Sequence, residues 1–114
     1  MDSETANYLI QKATTYAINS NGAGDTTIIT VGAGKRFVVF AFYLVTGGAA
    51  TAEIKSGATA ITGELDVSAT APLSFGVGGS APIWIGRAVG DDLVMTKAGA
   101  FDFDGWVLAA EVDQ

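Results

Sequence analysis

The sequence has no cysteine and no histidine among its 114 residues. Without cysteine, neither a disulfide nor a thiolate metal site supports the fold. Without histidine, the chain lacks the commonest general base and the commonest metal ligand. No stretch approaches the roughly 20 apolar residues that a transmembrane helix needs, and the acidic start MDSET is unlike a secretory signal. We therefore expect a protein that is made in the cytoplasm, contacts no membrane, binds no cofactor and is not an enzyme.

Basic residues are also scarce. Six Lys and Arg residues stand against twelve Asp and Glu residues, which gives a net charge of −6. The acidic residues are spread along the chain, and such a surface repels phosphate backbones. We expect no nucleic-acid partner.

Glycine is abundant, with 15 residues, and it separates short segments rich in Val, Ile, Phe, Tyr and Thr. Regular turn signals between short β-type segments are typical of a sandwich or barrel. The length predicts one domain, with an N-terminal arm over residues 1–24 and an all-β fold over residues 25–114. Within the arm, residues 4–13 are either a short helix or extended. About eight strands are predicted, near 26–31, 36–46, 50–56, 58–67 with a candidate break at Gly63, 72–77, 82–87, 91–97 and 101–112.

The segment Phe37–Val45 is apolar at every position, which predicts a strand that is covered on both faces. Regular alternation places Phe40 and Phe42 on one face, together with Val38 and Leu44. A two-layer sandwich of this size has one interior to fill. The opposite face therefore needs either a covering loop or arm, or a second protein chain, and its candidate subunit-interface residues are Phe37, Val39, Tyr43 and Val45.

The last predicted strand, Phe101–Val112, changes its hydrophobic phase at Gly105. Phe101 and Phe103 have one parity, whereas Trp106 begins a set of apolar residues with the other parity. One extra residue would bring both sets to the same face, and glycine readily adopts the backbone conformation that this requires. The pattern predicts a β-bulge at Gly105.

The glycine-rich segment Val31–Arg36 is superficially similar to a phosphate-binding loop. Ile29 stands where the loop motif needs its first glycine, and Arg36 replaces the Ser or Thr. A strand is predicted to follow, so no helix N-terminus is present to hold phosphate. We interpret this segment as a turn that opens a strand.

Several carboxylates and both tryptophans are candidates for binding or catalysis. The run Asp102–Gly105 is similar to the start of a calcium loop, but the next five residues supply no oxygen ligand, so we interpret its acids as solvated residues beside core aromatics. The pairs Asp91–Asp92 and Glu64 with Asp66 have no predicted cleft between them, as a glycosidase requires. Trp84 and Trp106 are more typical of core or interface anchors than of sugar-stacking residues.

Between Thr26 and Val112 the sequence resembles a family of small tailed-bacteriophage virion proteins of the head-decoration, or capsid-cement, type. The likeness covers about three quarters of the chain and consists of strand and turn patterns. After Pro72 the chain departs from the family pattern, with a glycine-rich segment in place of a polar turn carrying a Trp-Phe pair. The matching segments are Ala33–Val39 (AGKRFVV), Ile54–Gly63 (IKSGATAITG), Gly90–Met95 and the final Ala110–Val112.

The resemblance implies a jelly-roll-like antiparallel β-sandwich that forms a homotrimer and binds the major capsid protein on the exterior of the virion. Such a protein stabilises the particle by mass action, and linked copies gain avidity. An N-terminal arm would order against a neighbouring coat subunit. Its candidate capsid contacts are Asn7, Tyr8, Leu9 and Ile10. The alternative function is a tail or fibre module that binds a receptor or a carbohydrate.

Overall fold

The computed structural model describes residues 12–76 and 81–113, and this part of the chain contains ten strands. It contains no helix, and so none of suitable length and hydropathy to cross a membrane. The strands are β1 (Thr14–Asn21), β2 (Gly24–Ile29), β3 (Lys35–Thr46), β4 (Ala50–Ser56), β5 (Thr59–Ala60), β6 (Leu65–Val67), β7 (Leu73–Phe75), β8 (Trp84–Ile85), β9 (Leu93–Ala98) and β10 (Asp102–Asp113).

The strands form two antiparallel sheets. The first sheet has the order β1-β10-β3-β7, with β8 also paired to β3; the second has the order β2-β9-β4-β5, with β6 also paired to β4. Strands β1 to β4 alternate between the two sheets, and the first strand lies beside the last. This interleaved order is that of a jelly roll, in which two Greek keys make a double sheet. The predicted jelly-roll-like sandwich is confirmed.

The main core lies between the two sheets. Side chains of β4 and β9 alternate strictly, so that every second residue points inward, as expected for strands with one solvated face. Burying a large apolar side chain contributes about 1.5–3 kcal/mol. The core is formed chiefly by Ile18, Ile29, Phe37, Val39, Phe42, Leu44, Ala52, Ile54, Leu93, Met95, Phe103 and Val107.

Strand β3 contains a β-bulge where it pairs with β10. Leu108 pairs with Ala41, but the next residue, Ala109, pairs with Val39. Phe40 is therefore the extra residue of the bulge and has no pairing partner in β10. The extra residue reverses the alternation of side chains. The prediction that one parity of Phe37–Val45 lines the core is therefore wrong: the core takes Phe37 and Val39 before the bulge, and Phe42 and Leu44 after it.

The bulge predicted at Gly105 is wrong as well. Gly105 pairs in regular register with Ile18 of β1 and Leu44 of β3. Phe103 points into the core, while Trp106 pairs with Tyr43 on the opposite side of the sheet. The position is glycine for a different reason, because a β-carbon there would lie 1.9 Å from the carbonyl oxygen of Tyr43.

Part of the expected N-terminal arm is a strand of the sandwich. Thr14–Asn21 is β1, which pairs with β10 along its whole length and contributes Ile18 to the core. Residues 1–11 lie outside the described part of the chain. The candidate break at Gly63 is confirmed, since β5 and β6 are separate short strands on either side of it.

Candidate functional site

The outer surfaces of the two sheets differ in chemistry. On the second sheet, the side chains that point away from the core are mostly polar or charged: Asp25, Thr51, Glu53, Lys55, Asp66 and Thr96. On the first sheet, the corresponding surface over β3 and β10 is mostly apolar. We refer to this surface as the outer apolar face, and it consists of Ala41, Tyr43, Val45, Trp106, Leu108 and Val112.

Register places these side chains beside one another. Trp106 pairs with Tyr43 across the two strands, and their rings stack with centroids 6.1 Å apart and planes 18° apart. Leu108 pairs with Ala41 in the next position toward the bulge. Stacked aromatic pairs of this kind contribute about 0.5–1.5 kcal/mol beyond the area they bury. Because both rings remain partly exposed, the pair also offers a rigid apolar contact surface.

Next to this pair lies a second, smaller hydrophobic cluster. It contains Val38 and Phe40, both fully buried, together with Ala110. Ala13, Leu108 and Val112 pack around it. The bulge produces this cluster because it adds Phe40 to the outer side of β3. The first sheet is thus apolar on both sides, as the continuous apolar segment Phe37–Val45 predicted.

Of the four predicted interface residues, the structure separates two from the others. Phe37 and Val39 are fully buried between the sheets, so they have no surface with which to contact a second chain, and their assignment to an interface is wrong. Tyr43 and Val45 lie on the outer apolar face, where they pair with Trp106 and Asp104. The predicted capsid contacts Asn7, Tyr8, Leu9 and Ile10 lie outside the described residues.

The bulge predicted at Gly105 would place Phe103 and Trp106 on the same face of the last strand, whereas the structure has them on opposite faces. Trp106 and Leu108 do share one parity, as the sequence indicated. The same parity without a bulge in β10 gives the outer apolar face. The signal was therefore present in the spacing of apolar residues, and the error was the choice of strand for the bulge.

Asp91 and Asp92, one of the acidic pairs considered above, accept local hydrogen bonds. An oxygen of Asp91 accepts a hydrogen bond from the Ser56 hydroxyl at 2.8 Å, and Asp92 accepts one from the backbone N–H of Val31 at 3.0 Å. Asp102 and Asp104 are exposed on either side of the core residue Phe103, as predicted. These carboxylates fix turns or face solvent, and they do not converge on a cleft.

The turn before β3 is held by ion pairing and by backbone contacts. Lys35 donates a hydrogen bond to Asp113 at 2.8 Å, and the N–H of Gly32 donates to Glu111 at 2.7 Å. The hydrogen bond and the attraction between charges raise the pKa of Lys35 and lower the pKa of Asp113. The ammonium group of Lys35 is therefore engaged with the end of β10, consistent with the interpretation of Val31–Arg36 as a turn.

The described residues contain no group of three or more acidic side chains arranged to hold a metal ion. A depression lies beside β6. Its lining is Ala49, Ala50, Asp66, Val67, Ser68 and Ala71.

No family model matches the sequence, and no curated protein matches it. Among solved structures, the chain is similar to a cryo-EM structure of the virus-like particle of extra small virus from the giant freshwater prawn Macrobrachium rosenbergii. The similarity covers 90% of this chain and 79% of that chain, with 15% sequence identity and a TM-score of 0.41. A TM-score this low assigns no function, and the fold assignment rests on the strand order itself.

Proposed function

We propose that the protein is a non-catalytic structural component of a virus particle that binds the surface of the assembled capsid and stabilises it. The observation that carries the proposal is the outer apolar face, on a sandwich whose other outer surface is polar. Tyr43, Trp106 and Leu108 are not needed to fill the core between the sheets, which other residues fill. A partly exposed apolar face with stacked aromatics is typical of a protein-binding surface.

The resemblance to head-decoration proteins supports a capsid as the partner. A site formed between neighbouring coat subunits exists only after assembly, so binding there stabilises the shell by mass action. The net charge of −6 favours a coat surface with basic residues around the contact. Such rim charges chiefly set the association rate and its dependence on salt.

The test is co-sedimentation of the purified protein with undecorated capsids of the virus that encodes it, and with dissociated coat protein. We expect saturable binding to capsids and at least tenfold weaker binding to free coat subunits. Leu108→Ser should weaken capsid binding at least tenfold. Val94→Ser is the matched control, because Val94 is a half-buried apolar residue on the outer surface of the second sheet.

Equal binding to capsids and free subunits, or equal effects of the two substitutions, would contradict the proposal. Absence of capsid binding combined with saturable attachment to host cells or glycans would favour the receptor-binding alternative. In that case the partly exposed Tyr43 and Trp106 rings would be the first residues to test, since aromatic rings stack on sugars.

A further inference from the structure

The four edges of the two sheets are protected to different degrees. An unpaired strand edge is a template for pairing with another chain, and proteins usually shorten, bend or charge such edges. In the first sheet, one edge is made of β7 and β8, with three and two residues. In the second sheet, one edge is made of the short β5 and β6, and the other is β2, which carries Asp25 and an irregularity between Thr27 and Ile29.

The remaining edge, strand β1, has none of these features. It is eight residues long, TTYAINSN, with no charged residue and no proline. Its register with β10 is regular from Thr14 to Asn21, without a bulge. No described residue pairs with its other side. Among the described residues, three edges are therefore protected, and the edge of β1 is left able to pair.

The register shows which backbone groups face this open edge. The N–H of Gly22 donates to the carbonyl oxygen of Phe101 at 3.1 Å, which continues the β1–β10 pairing by one step. In an antiparallel pair, residues alternate between bonding to one neighbour and bonding to the other. Even-numbered residues of β1 therefore bond to β10, while Thr15, Ala17 and Asn19 direct their N–H and C=O groups away from it.

We propose that this edge pairs with the β1 edge of a second copy of the chain, antiparallel and across a two-fold axis. Two copies that each carry a net charge of −6 repel one another, and they approach at the lowest cost where the surface is neutral. Strand β1 is such a place, because it carries no charged residue. The acidic residues Asp102 and Asp104 lie one strand further from the edge, in β10. An antiparallel pair of identical strands is self-complementary, as an isologous dimer requires.

The pairing joins the first sheet of one copy to the first sheet of the other, which makes one continuous sheet. The outer apolar faces of both copies then lie on the same side of that sheet. It also closes on two copies, whereas the resemblance implies three. The proposal does not depend on capsid binding, since it rests on the strand edges alone.

The first test is sedimentation velocity and amide hydrogen exchange on the full chain at micromolar concentration. We expect a particle of twice the 11.6 kDa chain mass. The amides of Thr15, Ala17 and Asn19 should be protected at high concentration and lose protection at least tenfold on dilution. The amides of Tyr16 and Ile18 should stay protected throughout, because they bond to β10 within one chain.

The second test uses substitutions at Ala17. Ala17→Pro removes an N–H that faces the open edge, and proline is tolerated on an edge strand in that position. It should give a monomer in which Tyr16 and Ile18 remain protected, while the matched Ala17→Ser variant, which keeps the N–H, remains a dimer. A monomeric wild type, a trimer, or a dimer whose odd-numbered β1 amides exchange freely would overturn the proposal. Capsid binding is measured separately with the monomeric Ala17→Pro variant. Because that variant lacks the dimer, the measurement tests the proposed function independently of the dimer.

Discussion

At Gly105, in the first third of β10, a β-carbon would lie 1.9 Å from the carbonyl oxygen of Tyr43 and 2.8 Å from its carbonyl carbon. Both atoms belong to the backbone of the neighbouring strand, so they cannot move aside as a side chain can. The backbone of Gly105 is not in the left-handed region, so the requirement for glycine comes from the close approach of the strands.

Gly105→Ala should therefore lower the free energy of unfolding by about 1–3 kcal/mol, the usual cost of forcing extra volume into a packed site. Urea denaturation measures this effect. Gly63→Ala is the matched control, since no atom lies within 4 Å of a β-carbon at that position and its φ is not positive. We expect the control to change stability by less than about 0.5 kcal/mol. Equal stability of the two variants would contradict the close approach.

Tyr16 of β1 has a pKa above its ordinary value of about 10, because burial disfavours the charged phenolate and the negative charge of Glu111 repels it. A group that binds its proton more tightly in the folded state contributes stability below its unfolded pKa. This contribution is lost as pH rises through the folded pKa. Stability should fall above about pH 10 for this reason.

We expect Tyr16→Phe to reduce this alkaline loss of stability, measured by denaturation at about pH 9 and pH 11. Glu111→Gln keeps an oxygen that can accept from Gly32 but removes the negative charge. It should lower the pKa of Tyr16, measured by phenolate absorbance, while the part due to burial remains. An unchanged alkaline profile in Tyr16→Phe would show that other groups control this transition.

At the scale of elements, the bulge in β3 determines which residues form the core. With Ala41 deleted, the strand would alternate regularly and still direct Val39, Phe42 and Leu44 inward. With Tyr43 deleted, Leu44 would turn outward and the smaller Val45 would take its inward position. Deletion of Ala41 should therefore keep the core residues of β3 in place, whereas deletion of Tyr43, two positions away, should displace one of them.

We expect the chain lacking Ala41 to unfold cooperatively and to keep its near-ultraviolet circular dichroism. The chain lacking Tyr43 should lose about 1 kcal/mol or more, as when a buried aliphatic side chain is shortened, and lose that signal at lower urea. If the deletion of Ala41 is the more damaging of the two, the extra residue in β3 lies elsewhere.

The same bulge explains how far the sequence could predict β3. The continuous apolar segment Phe37–Val45 predicted a strand covered on both faces, and the structure confirms two clusters, one on each side. Alternation by itself could not locate the reversal, because both parities are apolar and either assignment looks equally buried. Only the partner strand shows it, through the step from Leu108 to Ala109.

At the scale of the whole molecule, turn spacing predicted the all-β class and most strands, because glycine clusters separate them in the sequence. Strand β1 was missed because TTYAINSN has only two large apolar residues, Tyr16 and Ile18, and its pairing partner lies some 90 residues away. The candidate site also depends on a long-range pairing, since the outer apolar face is made by β3 and β10, which lie far apart in the sequence.

The adjacency of the first and last strands has a practical consequence. In the antiparallel pair, Thr14 lies opposite Ala109, so the start of β1 and the end of β10 lie at the same pole of the sandwich. In a chain shortened to residues 12–113, a short linker from Asp113 to Lys12 would therefore join these strands, with new ends opened at the exposed turn around Ala58, between β4 and β5. In such a permuted chain, a protein fused near Ala58 would extend from the hairpin of β4 and β5. The pole shared by β1 and β10 would carry no fusion.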